Sequence, residues 1–231
     1  MSIYDNYKVI CEKIEQAAYS AGKKADDIKL VGAAKTQSVQ KINEAVKAGL
    51  RLIGENRVQE LVSKYELTDK PAGFEYHFIG KLQKNKIRHL LQRVSLIQSV
   101  DSVSLAKEID RLASKNGVAM QVLLEVNIAG EISKTGFLKD ELDEALCEIG
   151  SLPMMTVRGL MAIPPAQDEQ NRKNYRFFEM MHNLFVDIKG KKYDNIHMDI
   201  LSMGMSEDFE KAIAGGSNMV RIGSALFGGR I

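Results

Sequence analysis

The sequence is poor in the residues that stabilise small secreted or metal-binding proteins. It has 2 cysteines, 4 prolines and no tryptophan. Cys11 and Cys147 show neither CxxC nor metal-ligand spacing, so we expect buried free thiols and no metal site. The amino terminus lacks a basic start followed by an apolar run, and no apolar stretch reaches bilayer length. These absences predict a cytoplasmic protein without a signal peptide or a membrane span.

Neither sign of charge dominates the chain. Lys and Arg number 32 and Asp and Glu number 30, a net charge of +2. This excess is too small to indicate nucleic acid or an anionic membrane as a partner. The basic run at residues 81–93 has no interleaved aromatic residues, so we expect a solvated helix face there. For the oligomeric state, our expectation is a monomer.

Short apolar segments alternate with amphipathic ones. After an amphipathic helix at 3–21, the pattern predicts strands at 28–34, 50–54, 76–80, 96–100, 119–127, 157–163, 197–202 and 218–222, with helical spacing between them. Strands separated by helices pair in parallel, and eight such units close a barrel. We predict an α/β fold, a (β/α)8 TIM barrel with an extra amino-terminal helix, as a single domain over 1–231. An open doubly wound sheet is the alternative, but no GxGxxG turn follows the first strand.

Chemistry in such a barrel is expected at the carboxyl ends of the strands. Lys35 ends the first strand, where loss of water favours a neutral amine that can form a Schiff base with an aldehyde. Lys35 alone also fits a lysine that simply ends a strand and reaches water. Small residues at 202–206 and 222–229 can expose backbone N–H groups to phosphate. Together these features indicate a phosphorylated aldehyde, with pyridoxal phosphate as the first candidate.

The motifs and their order resemble a known family. The chain is similar to the pyridoxal phosphate homeostasis proteins, whose barrel is like the amino-terminal domain of alanine racemase, the fold type III PLP-binding barrel. The shared motifs are Ala34-Lys35-Thr36, GENRVQE at 54–60, HFIGKLQKNK at 77–86, VNIAGE at 126–131, GLMAIP at 159–164, LSMGMS at 201–206 and VRIGS at 220–224. Lys81 and Asn218 depart from the family pattern, which often has proline and threonine there.

The resemblance implies a role for each matching residue. Lys35 would carry pyridoxal 5'-phosphate as a covalent aldimine, Asn56 would lie beside the ring, and Arg221 would approach the pyridine nitrogen. Ser202, Gly223 and Ser224 would bind the phosphate, and Met203 would be a further cofactor-binding residue. Lys134 is a candidate for a second, transient lysine. His77 is a further candidate, although a buried core histidine is the simpler interpretation.

The resemblance also implies the kind of function. An arginine at the pyridine nitrogen disfavours ring protonation and weakens the ring as an electron sink. Racemases of this type add a tyrosine from a carboxy-terminal domain, whereas this chain ends at Ile231, soon after the last predicted strand. We therefore expect a non-catalytic carrier that regulates intracellular vitamin B6, with apo forms of PLP-dependent enzymes as candidate partners. The alternatives are a small PLP-dependent amino-acid racemase and a Schiff-base aldolase.

Overall fold

The computed structural model describes residues 2–131, 134–164, 173–191 and 193–228. In this part of the chain, parallel strands β1 to β8 pair in sequence order, and β8 returns to β1 to close a barrel. The strands are β1 (Lys29–Ala33), β2 (Leu52–Glu55), β3 (Glu75–Phe78), β4 (Leu96–Val100), β5 (Met120–Glu125), β6 (Met155–Met161), β7 (Ile196–Ser202) and β8 (Met219–Ile222). The predicted (β/α)8 TIM barrel is confirmed.

Helices connect the strands and cover the barrel. They are α1 (Ile3–Ser20), α2 (Val39–Ala48), α3 (Val58–Tyr65), α4 (Val103–Asn116), α5 (Leu142–Ile149), α6 (Lys173–Lys189), α7 (Phe209–Ala214) and α8 (Ser224–Phe227). The extra helix α1 packs against α2, α7 and α8. Ser2 begins α1 with a capping box to Asp5, while Ser38 and Ser102 cap α2 and α4 through their side chains. The sequence pattern also predicts a helix over 171–189, and the first two of these residues lie outside the described ranges.

The third connection differs from the prediction. The sequence pattern predicts a helix over 84–91, whereas the structure has a short 3₁₀ helix there, Lys84–His89. Lys84 and Arg88 stand four residues apart, and like charges at this spacing destabilise an α-helix. The tighter winding still buries Ile87 against the barrel and leaves Lys84 and Arg88 exposed.

The apolar core has two parts. The larger lies between the strands and the surrounding helices. The smaller fills the barrel interior and consists of Val31, Leu96, Leu123, Met161, Ile200 and Met219. Burial of each such side chain stabilises the fold by roughly 1.5–3 kcal/mol. The barrel interior also contains buried polar side chains, and these lead to the candidate site.

The two cysteines lie in different environments. Both thiols are free, but Cys11 is half-buried and Cys147 is exposed, so the prediction of a buried thiol was wrong for Cys147. Cys147 lies off the packed face of α5, which buries Leu142, Ala145, Leu146 and Ile149. Over the described ranges no group of His, Cys, Asp and Glu is arranged to hold a metal ion. No described helix is both long and apolar enough to span a bilayer.

Gly159 allows two neighbouring strands to approach closely. It has a φ of +144° where the register of β6 shifts against β5 and β7. A Cβ at this position would lie 1.8 Å from the carbonyl oxygen of Ile200 in β7. Strand β6 can therefore pass β7 here only without a side chain.

We expect Gly159→Ala to lower the free energy of unfolding by roughly 3 kcal/mol or more, because backbone strain and a clash with the β7 backbone add together. Gly73→Ala is the matched control, since Gly73 also has a positive φ, +77°, but a Cβ there meets nothing within 4 Å. Urea denaturation of both variants measures the difference. Equal losses would show that the Gly159 contact is relieved by a small backbone shift.

Candidate functional site

Lys35 lies in a tight turn directly after β1. The Gln37 N–H donates to the Ala34 carbonyl at 3.0 Å, which closes a turn around Lys35 and Thr36. Thr36 has a φ of +63°, a conformation that costs a β-branched residue roughly 1–3 kcal/mol. Lys35 is exposed, so the expected loss of water at this residue is not observed. The strand ends at Ala33, and the turn carries Lys35 out of the barrel wall.

A buried ionic network holds the strained turn. The Thr36 N–H donates to Glu60 Oε2 at 2.9 Å. Lys64 Nζ lies beneath the turn and donates to the Ala34 carbonyl at 3.2 Å, to Glu55 Oε1 at 2.8 Å and to Glu60 Oε2 at 3.2 Å. Glu55 and Glu60 belong to the GENRVQE motif, but sequence reasoning gave neither of them a role and did not single out Lys64, although the spacing of Glu60 and Lys64 on α3 was a usable signal.

Two oxygen atoms beside this network have no hydrogen-bond partner among the described residues. They are Glu55 Oε2 and Asn56 Oδ1, and both are buried. Burial raises the pKa of Glu55 to about 7, in opposition to the hydrogen bond and the positive charge of Lys64. Glu55 and Glu60 share one lysine, Lys64. A proton on Glu55 removes the cost of burying its negative charge beside that of Glu60. Asn56 Oδ1 is at the carboxyl end of β2, where a bound ligand can supply the missing donor.

The pairing of β1 with β8 brings the carboxyl-terminal motif beside Lys35. Val31 pairs with Arg221, and Gly32 pairs with Ile222. A Cβ on Gly223 would lie 3.2 Å from the Ala33 carbonyl oxygen. The Lys35 turn and the segment that begins α8 are therefore neighbours at the same end of the barrel.

Two backbone donors converge on one oxygen in the loop around Gly223. The N–H groups of Gly223 and Ala225 each donate to Ser206 Oγ at 3.3 Å. Such convergent N–H groups at the start of a helix suit an anion. We call this pair of N–H groups the cradle. Ser224 lies between the two donors in sequence and is exposed, whereas Met203 is fully buried. Ser206 lies in the segment predicted for phosphate, but sequence reasoning gave it no role.

Ser202 faces the barrel interior instead. It is fully buried, and its hydroxyl accepts from Arg221 Nη1 at 2.7 Å and donates to Gln98 Oε1 at 2.7 Å. The hydroxyl has no hydrogen left for a phosphate group in this arrangement. The phosphate role of Ser202 stays a prediction.

Arg221 is a buried cation at the base of the barrel mouth. It is 5% exposed, and its Nη2 donates to the Ala162 carbonyl at 3.0 Å. Burial lowers the pKa of Arg221 to about 10, while the charges of Glu125 and Asp208 oppose this shift. The guanidinium is therefore still positively charged at neutral pH.

The two secondary candidates lie away from the Lys35 turn. His77 is 2% exposed and has hydrogen-bond partners on both ring nitrogens, Gln98 and Glu75. Lys134 Nζ donates to the Pro164 carbonyl at 3.0 Å and pairs with Glu131 at 3.1 Å. These contacts join the loops after β5 and β6, across the barrel from β1.

Comparison with known proteins assigns the class of this chain. Residues 2–231 match the family described as alanine racemase, N-terminal domain. The pyridoxal phosphate homeostasis protein of Aquifex aeolicus (strain VF5) is 41% identical over 231 residues, which cover 100% of this chain and 99% of the relative. The chain belongs to the alanine racemase N-terminal domain family and, within it, to the pyridoxal phosphate homeostasis proteins.

Solved structures have the same barrel. PipY of Synechococcus elongatus PCC7942, solved with PLP bound, has a TM-score of 0.81 and 32% identity, with 93% of this chain and 100% of PipY covered. An alanine racemase of Clostridium difficile 630 has a TM-score of 0.71 and 19% identity, with 98% of this chain and 57% of the racemase covered. At that identity the racemase shows the shared fold alone.

The residues at the barrel mouth fit pyridoxal phosphate. An exposed lysine amine suits an aldehyde, and the convergent N–H groups of Gly223 and Ala225 suit a phosphate. Asn56 Oδ1 is a buried acceptor without a partner among the described residues, and the guanidinium of Arg221 is a buried cation suited to an unprotonated ring nitrogen. Each part of the cofactor therefore has a chemically matched group in this chain.

The raised pKa of Glu55 predicts a pH-dependent stability. Between the ordinary value of 4.5 and about 7, the folded protein binds a proton at Glu55 that the unfolded chain does not. The stabilisation is fully present below pH 4.5 and is lost as pH rises through 7. Glu55→Gln keeps a neutral group at every pH. We therefore expect the free energy of unfolding of this variant to increase relative to that of the parent as pH rises from 4.5 to 7.

Urea denaturation at several pH values measures this difference, with Glu66→Gln as the control because Glu66 is exposed at the end of α3. The control should follow the parent at every pH. The raised pKa of Glu55 would be contradicted if the free energy of unfolding of Glu55→Gln, relative to the parent, stayed constant or fell as pH rises.

Proposed function

We propose that this chain binds pyridoxal 5'-phosphate covalently through Lys35 and regulates the free level and the delivery of the cofactor without efficient catalysis. The observation that carries the proposal is the Lys35 turn. An exposed amine is held in a strained loop beside backbone donors suited to phosphate. Homeostasis proteins of known sequence and a PLP-bound relative support the same cofactor.

The chain's own residues prepare the binding site. When bound, the cofactor supplies an aldehyde carbon that condenses with the Lys35 amine with loss of one water. Glu60 and Lys64 hold the backbone that presents this amine. Gly223 and Ala225 offer their N–H groups to phosphate in exchange for Ser206 Oγ.

The exposure of Lys35 supports a role in release as well as in binding. Release of a cofactor held by Lys35 would need access for water. The exposed position of Lys35 would give that access to water and to an acceptor protein. Enzymes that use such a bond for chemistry close the site against water.

Arg221 supports the lack of catalysis. We assign its guanidinium to the ring nitrogen, where a buried positive charge disfavours a second cation at short range. A ring without that proton is a weak electron sink. We further propose that the single domain 1–231 acts as a cytoplasmic monomer, since one chain supplies all the described site residues, and that apo PLP-dependent enzymes receive the cofactor.

We expect Lys35→Ala to abolish the covalent adduct while changing the free energy of unfolding by less than about 1 kcal/mol, because Lys35 is exposed. The measurement is mass analysis after incubation with pyridoxal phosphate and borohydride reduction. Lys81→Ala is the control, since Lys81 is another exposed lysine in a loop after a barrel strand. An adduct in full yield on Lys35→Ala would transfer the role to another lysine, with Lys134 the first to test.

We expect purified protein loaded with cofactor to exchange the α-proton of alanine very slowly, and Arg221→Glu to exchange it faster. The carboxylate favours ring protonation, the reverse of the present charge. Deuterium incorporation, normalised to cofactor content, measures the rate, and Arg221→Lys, which keeps a cation, should exchange more slowly than Arg221→Glu. Rapid exchange by the parent itself, with interconversion of D- and L-alanine, would favour the racemase alternative.

A further inference from the structure

A continuous line of hydrogen bonds crosses the barrel interior from Arg221. Arg221 Nη1 meets Ser202 Oγ at 2.7 Å, and Ser202 Oγ meets Gln98 Oε1 at 2.7 Å. Gln98 Nε2 lies 2.9 Å from His77 Nδ1, and His77 Nε2 lies 3.2 Å from Glu75 Oε2. The line therefore runs from the mouth, through β8, β7, β4 and β3, to the amino-terminal end of β3.

The two ends of this line fix the direction of every bond in it. Arg221 can only donate, and the Glu75 carboxylate can only accept. Ser202 accepts from Arg221, so its own O–H donates to Gln98, whose amide N–H then donates to His77 Nδ1. The remaining proton of His77 is on Nε2 and points at Glu75.

The reversed amide of Gln98 would break this pattern. Its NH₂ group would then face Ser202, and the serine proton would lose its acceptor. In the observed orientation the second N–H of Gln98 also meets Met219 Sδ at 3.2 Å. The pattern requires a neutral His77, and burial does lower the pKa of this histidine, against the effect of Glu75.

Burial makes the line rigid. Ser202 and Gln98 are fully buried and His77 is 2% exposed, so water cannot replace a lost partner without a change in the barrel. At the far end Glu75 is half-exposed and also accepts from Ser95 Oγ at 2.6 Å. The line is thus fixed to the opposite face of the barrel from the mouth.

We propose that Ser202, Gln98 and His77 are positioning residues that hold the Arg221 guanidinium in one orientation at the base of the mouth. The effect of Arg221 on the cofactor ring rests on the proposed function, whereas the orientation of its guanidinium does not. Ser202 and His77 thereby act through Arg221, without contact with the cofactor.

The orientation is tested first in the protein without cofactor. NMR of the guanidinium protons of Arg221 measures their exchange with water. We expect slow exchange in the parent and at least about tenfold faster exchange in both Ser202→Ala and Gln98→Leu. Ser202→Ala removes the acceptor of the guanidinium, and Gln98→Leu removes the acceptor that orients the Ser202 hydroxyl toward it. Thr68→Val is the control, since it removes a buried hydroxyl bonded to Tyr76, outside the line.

His77 gives a matched pair of variants. His77→Asn can still accept from Gln98 and should keep Arg221 protected, whereas His77→Leu cannot and should not. The ¹⁵N shifts of His77 in the parent should show a neutral ring with its proton on Nε2. A proton on Nδ1, or equal exchange of Arg221 in the parent, Gln98→Leu and Ser202→Ala, would overturn the proposal. If one of these two variants fails to fold, the other decides.

The second test uses protein loaded with pyridoxal phosphate. We expect Gln98→Leu to keep the reducible adduct on Lys35, to lose cofactor about tenfold faster on dilution and to shift the pH midpoint of the cofactor absorbance. Unchanged release and midpoint, in a parent that loads on Lys35, would overturn the inference and leave the proposed function intact. A parent that never loads would overturn the proposed function, while the exchange experiment still decides the role of the line.

Discussion

Parallel pairing of β1 with β8 is the constraint on which the rest of this structure depends. It closes the sheet, so neither edge strand is left with unpaired backbone groups. Its register also decides the chemistry of the mouth, because it places Val31 opposite Arg221 and brings Gly223 close to the Ala33 carbonyl. A shift of one residue would turn Arg221 out of the barrel. Residues from the two ends of the chain become one site through this pairing.

The barrel interior combines an apolar cluster with a line of polar side chains. Interiors of this fold are usually filled by branched apolar residues, and here Val31, Leu123 and Ile200 follow that rule. Removing a guanidinium from water costs several kcal/mol unless it is hydrogen-bonded. Ser202 and the Ala162 carbonyl supply those bonds, and Glu125 and Asp208 add opposite charge nearby. A loss of folding stability of this kind is expected where a fold holds a functional group.

Sequence patterns predicted the architecture because strand and helix periodicity and the caps at Ser38 and Ser102 are local signals. They could not predict Gln98, since a single amide in an apolar strand has no informative spacing and its partners come from other strands. Ser202 ends β7 two residues after Ile200, so strand alternation turns its side chain into the barrel interior. Ser206 lies beyond the turn at Gly204, which has a φ of +94°, and its contact with Gly223 depends on that turn, which no local pattern predicts. The exposure of Lys35 depended likewise on the strained turn at Thr36.

We propose that a fixed, buried cation keeps the cofactor ring unprotonated, so that the chain holds pyridoxal phosphate without activating it. The most direct measurement is the ¹⁵N chemical shift of pyridoxal phosphate labelled at its ring nitrogen and bound to the protein. We expect the shift of an unprotonated pyridine throughout pH 6–8. The shift of a protonated ring nitrogen in that range would contradict it.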